Sequence, residues 1–96
     1  MTDLLFEWDE EKNKKNITKH GISFQAAVKV FNDENIFIDT DYRHSGSEDR
    51  YYAIGCVEHK LVIIYVSFTE RGKIIRIISA RKANREEREL YYDSLL

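Results

Sequence analysis

The side chains best suited to chemistry in this sequence are cationic. Arg76, Arg81, Lys82, Arg85 and Arg88 fall within thirteen residues of one another near the C-terminus. Arg76 interrupts the apolar run "KIIRIISA", and Arg50 opens another run, "RYYAIGCV", behind the acidic pair Glu48–Asp49. A guanidinium grips phosphate as a planar fork, so strand-borne arginines around a groove suit an anionic, phosphate-rich ligand. Surface pairing with Glu86, Glu87 and Glu89 is the competing reading. It accounts for Arg85 and leaves Arg76 and Arg81 open between the two.

A second cationic group lies in "WDEEKNKKNITKHGISF", Trp8 to Phe24. At about 100° per residue, Lys12, Lys15, Asn16, Lys19 and His20 share one helical face, with Glu10, Asn13 and Ile17 toward another. That face is either solvated or a ridge that meets phosphates. His20 stands at the helix C-terminus, where the macrodipole favours its protonated form; it is either a local cap or a proton carrier. Trp8 and the six tyrosines can stack on bases or pack in the core. Metal chemistry is poorly served and no cofactor is expected. His20, His44 and His59 are scattered, Cys56 stands alone, and no helix carries two ligands at i, i+4. Gly-rich phosphate loops, nucleophile elbows and CxxC motifs are absent from the sequence.

These residues must be positioned by short elements. "LLFEW" alternates, with Leu4, Phe6 and Trp8 on one side, and reads as a first strand. Asp9 caps the lysine-rich helix and Gly21 stops it, although Ile17 is its only real hydrophobe. Ser23 caps a second helix, "FQAAVKVF". "IFID", "RYYAIGCV", "LVIIYVSF" and "KIIRIISA" follow as strands, the last three joined by "EHK" and "TERG" as antiparallel hairpins. "LVIIYVSF" is apolar on both parities and should lie centrally. "NREE" forms a capping box from Asn84 to Glu87 for a last helix ending near Ser94. The order is a short N-terminal strand, two helices, a strand meander and a C-terminal helix: an α+β fold with helices on an antiparallel sheet.

Ninety-six residues form one domain, 1–96. No apolar run approaches a membrane span, and a single cysteine fits a reducing cytoplasm. A net charge of −2 argues against a broad, non-specific nucleic-acid binder but leaves local basic patches possible.

"FEWDEEKNKKNITKHGISF", "EDRYYAIG" and "RIISARKANREERELY" together resemble the signature blocks of the BrnT family of bacterial type II toxins, in order and spacing. The blocks fall on Trp8, Asp9, Lys12, Asn16, Lys19, His20, Gly21 and Phe24, then Arg50, Ile54, Gly55, Ile77, Ser79, Arg81, Ala83 and Glu87. The resemblance implies a RelE-like fold and a cytoplasmic ribonuclease that slows translation. It also implies a DNA-binding BrnA-type antitoxin in a hetero-oligomer with the toxin. Cleavage would be metal-free, the RNA's own 2′-OH attacking the adjacent phosphate. Under that reading Arg50 and Arg81 stabilise phosphate, and His20 carries the proton with Tyr91 in reserve. Trp8, Lys12, Lys19 and Arg76 hold RNA. The alternative is a non-catalytic protein-interaction or RNA-binding module with a basic groove, which explains the acidic balance better and the arginine placement no worse.

Overall fold

Hydrophobic alternation decides how this chain is layered. The computed structural model describes residues 4–57 and 62–96; the expected "EHK" connection, with His59, lies outside the described residues. Its elements are β1 (Leu5–Glu7), α1 (Glu10–His20), α2 (Phe24–Val28, continued by a 3₁₀ turn, Lys29–Asn32) and β2 (Phe37–Thr40). They continue with β3 (Arg50–Val57), β4 (Val62–Arg71), β5 (Ile74–Lys82) and α3 (Arg85–Asp93). The strands form one sheet in the order β1-β5-β4-β3-β2, with the doubly apolar β4 in the centre as its sequence demands.

The strands β2 to β5 form an antiparallel meander, and β1 joins β5 in parallel, making the sheet mixed. A parallel neighbour cannot be reached through a tight turn. Here the helices and the meander separate β1 from its partner.

Ala53, Val57, Ile64, Val66, Phe68, Ile75, Ile77 and Ala80 project from one sheet face onto Ile22, Phe24, Ala27 and Val30 of the helical layer. Leu4, Phe6 and Trp8 flank this core, while Leu5 between them is exposed. The 3₁₀ turn lies directly on β3: a Cβ at Gly55 would meet Val30 Cγ1 at 2.7 Å, so only glycine fits there. On the opposite face a smaller cluster, Ile54, Ile63, Ala83 and Tyr91, holds α3 over one end of the sheet.

The hydrophobe-poor helix α1 has another means of attachment. Asp9 caps it through the Glu11 and Lys12 amides, and Gly21 ends it in the left-handed conformation, φ 72°. Its buried residues are Asn13 and Asn16, whereas Ile17 is exposed. The Asn16 carboxamide donates to the carbonyls of Ile22 and Ala80, 2.8 Å each, and accepts from the Ala80 N–H at 3.2 Å. Asn13 accepts from the Phe24 N–H at 2.8 Å and donates to Gln25 at 3.2 Å. The helical-wheel reading grouped Asn16 with the lysines. In the structure the asparagines turn inward and Lys12, Lys15 and Lys19 remain exposed.

Replacing Asn16 with Ala therefore leaves three buried backbone groups unpaired, at about 1–3 kcal/mol each. The expected loss is ~3–5 kcal/mol, a large share of a small domain's stability. Urea unfolding should show it, together with loss of hydrogen-exchange protection at the Ala80 amide. Ile17→Ser, on the exposed side of α1, should stay within about 0.5 kcal/mol of the parent.

Candidate functional site

The face opposite α1 and α2 carries polar residues in register. Directly paired residues share a face of the sheet. One row reads Glu7–Arg76–Thr69–Arg50 across four strands. The next is Ser79–Ser67–Tyr52–Asp39, and the third is Arg81–Tyr65–Ile54–Phe37. Arg76 and Arg81 are five apart, so unbroken alternation would send them to opposite faces. The register shifts between Ser67 and Phe68, which pair with Ser79 and Ile77, leaving Ile78 as an extra residue in β5. That bulge returns Ser79 and Arg81 to the face of Arg76.

Arg50 and Arg81 line one shallow depression of about 260 Å³ together with Asp41, His44, Tyr65, Ser67 and Ser79. His44 was legible in the sequence only as one of the scattered histidines. Its Nδ1 lies 2.9 Å from Asp41 Oδ2, which fixes the ring and leaves Nε2 for other work. The loop is tied down behind it. Ser45 Oγ donates to the Asp41 carbonyl at 2.9 Å and accepts from the Arg50 N–H at 3.0 Å, and the Asp41 N–H donates to the Arg50 carbonyl at 2.7 Å. The signal available in the sequence was the i, i+3 spacing of Asp41 and His44 in a polar loop that closes just before Arg50.

Arg81 sits at the end of a stack. Its guanidinium carbon is 4.3 Å from the Tyr65 ring centre, and Tyr65 stacks on Tyr52 at 5.1 Å and 14°. Both Nη groups donate to Glu87, 2.8 Å each. Glu87 also accepts from the Asn84 N–H at 2.9 Å, completing the capping box of α3. Burial pushes the Glu87 carboxyl up, but the bonds from Arg81 and Asn84 outweigh it and hold the carboxyl below its ordinary range. The Glu87 hydrogen bond raises the Arg81 pKa in turn, against burial. Arg81 thus remains charged and aligned; one Nη also donates to the Lys82 carbonyl at 3.3 Å, and among the described residues its Nε has no partner. A wider cleft of about 380 Å³ adjoins the depression and is lined by Tyr52, Tyr65, Glu86 and Glu87 among others. Its rim carries Asp41, Glu86 and Glu87 together with Arg43.

The remaining sequence candidates are distributed elsewhere. Arg76 lies in the first row and donates to Glu7 at 3.1 Å. His20, Lys12 and Lys19 are on α1, in the layer on the other side of the sheet, and none of them lines the depression of Arg50 and Arg81. Trp8 packs edge-on against Phe24, 6.2 Å between centres, and its Nε1–H donates to Glu10 at 3.1 Å. Tyr91 is 5 % exposed, and its hydroxyl donates to Asp33 Oδ2 at 2.5 Å. The Cys56 N–H meets the same oxygen at 2.8 Å. Burial and then the bond to Asp33 raise the Tyr91 pKa, so its phenol stays protonated. Among the described residues no group of three or more His, Cys, Asp or Glu is arranged to hold a metal ion, and no helix is long and apolar enough to cross a membrane.

Two structural consequences can be measured. Tyr91→Phe removes a bond to a charged acceptor and should cost about 1.5–3 kcal/mol in urea unfolding. Asp33 is also depressed: burial raises it, but the Cys56, Tyr91 and Asn35 donors prevail. Carboxyls lowered on folding contribute stability that is complete above their unfolded values, 3.8 for Asp33 and 4.5 for Glu87. That contribution is lost as pH falls through the lower folded values. The unfolding midpoint should therefore drop below about pH 4.5, and Glu87→Gln should flatten part of that slope.

No curated protein matches the chain at significant similarity. A family model does match, over residues 8–87, and is described as the ribonuclease toxin BrnT of type II toxin–antitoxin systems. The match takes in the lysine-rich helix, Arg50, the cations from Arg76 to Arg85, the Asp41–His44 loop and the α3 capping box. With that match over most of its length, the chain belongs to the BrnT family of ribonuclease toxins of type II toxin–antitoxin systems.

Proposed function

We propose that this chain cuts RNA without a metal ion in the depression between Arg50 and Arg81, and that His44 is its proton carrier. The observation that carries the reading is the convergence of two arginines and an Asp41-oriented histidine on one concave surface. Arg50 and Arg81 neutralise the non-bridging oxygens of the phosphate, supplying from side chains the positive charge that cleavage requires. His44 Nε2 takes the proton of the RNA 2′-OH as that oxygen attacks phosphorus. The P–O5′ bond breaks, and the leaving 5′ oxygen takes a proton from water or returned from His44. The products are a 2′,3′-cyclic phosphate and a 5′-OH. Ser67 and Ser79, lining the same depression, can donate to the phosphate as charge accumulates.

Tyr91 is assigned a positioning role, holding α3 to β3 through Asp33. Lys12 and Lys19 contribute short-range attraction to RNA that extends onto the other layer. Cutting messenger RNA slows translation in the cytoplasm, and a BrnA-type DNA-binding antitoxin holds the enzyme in check within a hetero-oligomer. Family membership supports the antitoxin partnership and the RNA substrate.

Expression of the chain alone in a bacterium should arrest growth and degrade RNA. Purified protein should cut RNA in EDTA and leave cyclic phosphate ends. Under single-turnover conditions His44→Ala should slow cleavage about 10²–10⁴-fold. Arg50→Ala should slow it about 10²–10³-fold, whereas Lys12→Ala should mainly reduce the salt dependence of binding. Cleavage lost in EDTA and restored by a divalent cation would reject the metal-free chemistry. Normal growth with intact RNA, at good expression of folded protein, would point to a non-catalytic module.

A further inference from the structure

We infer that Arg50, Thr69 and Arg76 form a second phosphate subsite, which holds the RNA phosphate next to the one being cut. The inference rests on the ribonuclease reading above and names how that site takes its substrate. Thr69 pairs directly with both arginines, with Arg50 across β3 and with Arg76 across β5. It is 4 % exposed, and among the described residues its hydroxyl is the buried side-chain polar atom without a hydrogen-bond partner. An unpaired buried hydroxyl destabilises a fold, and Val would fill the same space without that cost. The hydroxyl is closed to solvent in this structure, so a ligand oxygen would satisfy it by parting the side chains that cover it between the two arginines.

The cations beside it have donors to spare. Arg76 uses one nitrogen on Glu7, at 3.1 Å. No described acidic side chain pairs with the Arg50 guanidinium. The bulge at Ile78 is what makes this row and the Arg81 row parts of one surface. Thr69 and Ser67 are two residues apart on β4, a step of about 6.7 Å. Such a step is comparable to the repeat of an extended nucleotide. Arg50 belongs to both places: it lines the depression with Ser67, Ser79 and Arg81, and it stands in the Thr69 row. An RNA strand running along β4 would therefore present one phosphate to the depression and its neighbour to Thr69 and Arg76. Glu7 is the built-in competitor, since its carboxylate repels a phosphate arriving at the free donors of Arg76.

The test uses a short RNA whose cut position has been mapped with the parent protein. Versions of it carry a neutral methylphosphonate at one phosphate at a time. With the parent protein, neutralising one phosphate adjacent to the cut should raise KM about tenfold, the size of one hydrogen bond to a charged group. Thr69→Val and Arg76→Gln should each raise KM for the unmodified RNA to a similar extent, and should no longer respond to that methylphosphonate. Thr69→Val should melt at or above the parent temperature. Glu7→Gln should lower KM by releasing Arg76. The inference is overturned if Thr69→Val melts lower with unchanged KM, or if each methylphosphonate affects parent and variants alike. Should the parent cut no RNA at all, the ribonuclease reading fails instead. Binding of the same oligonucleotides, read by fluorescence anisotropy, then still shows whether Thr69 and Arg76 sense one particular phosphate.

Discussion

The arrangement depends on a single carboxamide. β1 pairs with β5 only from Ile74 to Arg76, so the outer edge of β5 beyond that point has no strand partner. Asn16 takes that place, giving and accepting a hydrogen bond at Ala80 as a neighbouring strand would. A buried strand edge with open backbone groups is costly, and one amide removes the cost while fixing α1 to the sheet. The helix therefore needs no apolar stripe. Its buried residues are two asparagines at i, i+3, and their hydrogen bonds fix its direction on the sheet.

Fixing β5 matters because β5 carries the division between the core and the proposed site. Its apolar residues Ile75, Ile77 and Ala80 complete the core, and Arg76, Ser79 and Arg81 occupy the other face. The bulge permits both assignments in one strand. On that other face α3 covers one end and leaves the arginine rows accessible. Glu87 joins the two functions, since it caps α3 and holds the Arg81 fork. Arg81 is consequently no free surface cation. Its removal would strip a half-buried carboxylate of its partner, so a loss of activity at this position carries a loss of stability with it.

How far the sequence revealed this follows from the range of each interaction. The capping box at Asn84, the Asp9 and Ser23 caps, the span Arg50–Val57 and the central place of β4 were all legible, because they depend on neighbours or on period-two alternation. The parallel joining of β1 was not, since nothing within three residues records a partner almost seventy positions away. Asn16 was read as part of a cationic face because helical periodicity weighs polarity and cannot anticipate an unpaired backbone edge. Arg76 and Arg81 were recognised by type, but alternation alone would have separated them. Only the pairing register reveals the extra residue that unites them. His44 depends on a loop that closes through Ser45 and Arg50, and no periodic signal marks such a closure.

The acidic balance of the chain also finds a physical account on this face. Arg71, Arg76 and Arg81 each hold a carboxylate, from Glu48 at 2.6 Å, Glu7 at 3.1 Å and Glu87 at 2.8 Å. At long range these pairs nearly cancel, and a net charge of −2 gives little general attraction for a polyanion. At contact range the cancellation fails, because a guanidinium has five donors and a carboxylate end-on occupies only some of them. On the proposed reading, a single phosphate gains little by displacing Glu7. A strand that places one phosphate at Arg50 and Arg81 and the next at Thr69 and Arg76 gains at both positions together, since the second contact forms on an already held strand. Internal carboxylates would thus suppress loose electrostatic binding while leaving room for an anion of the right spacing, and an acidic chain can carry an RNA-cutting face.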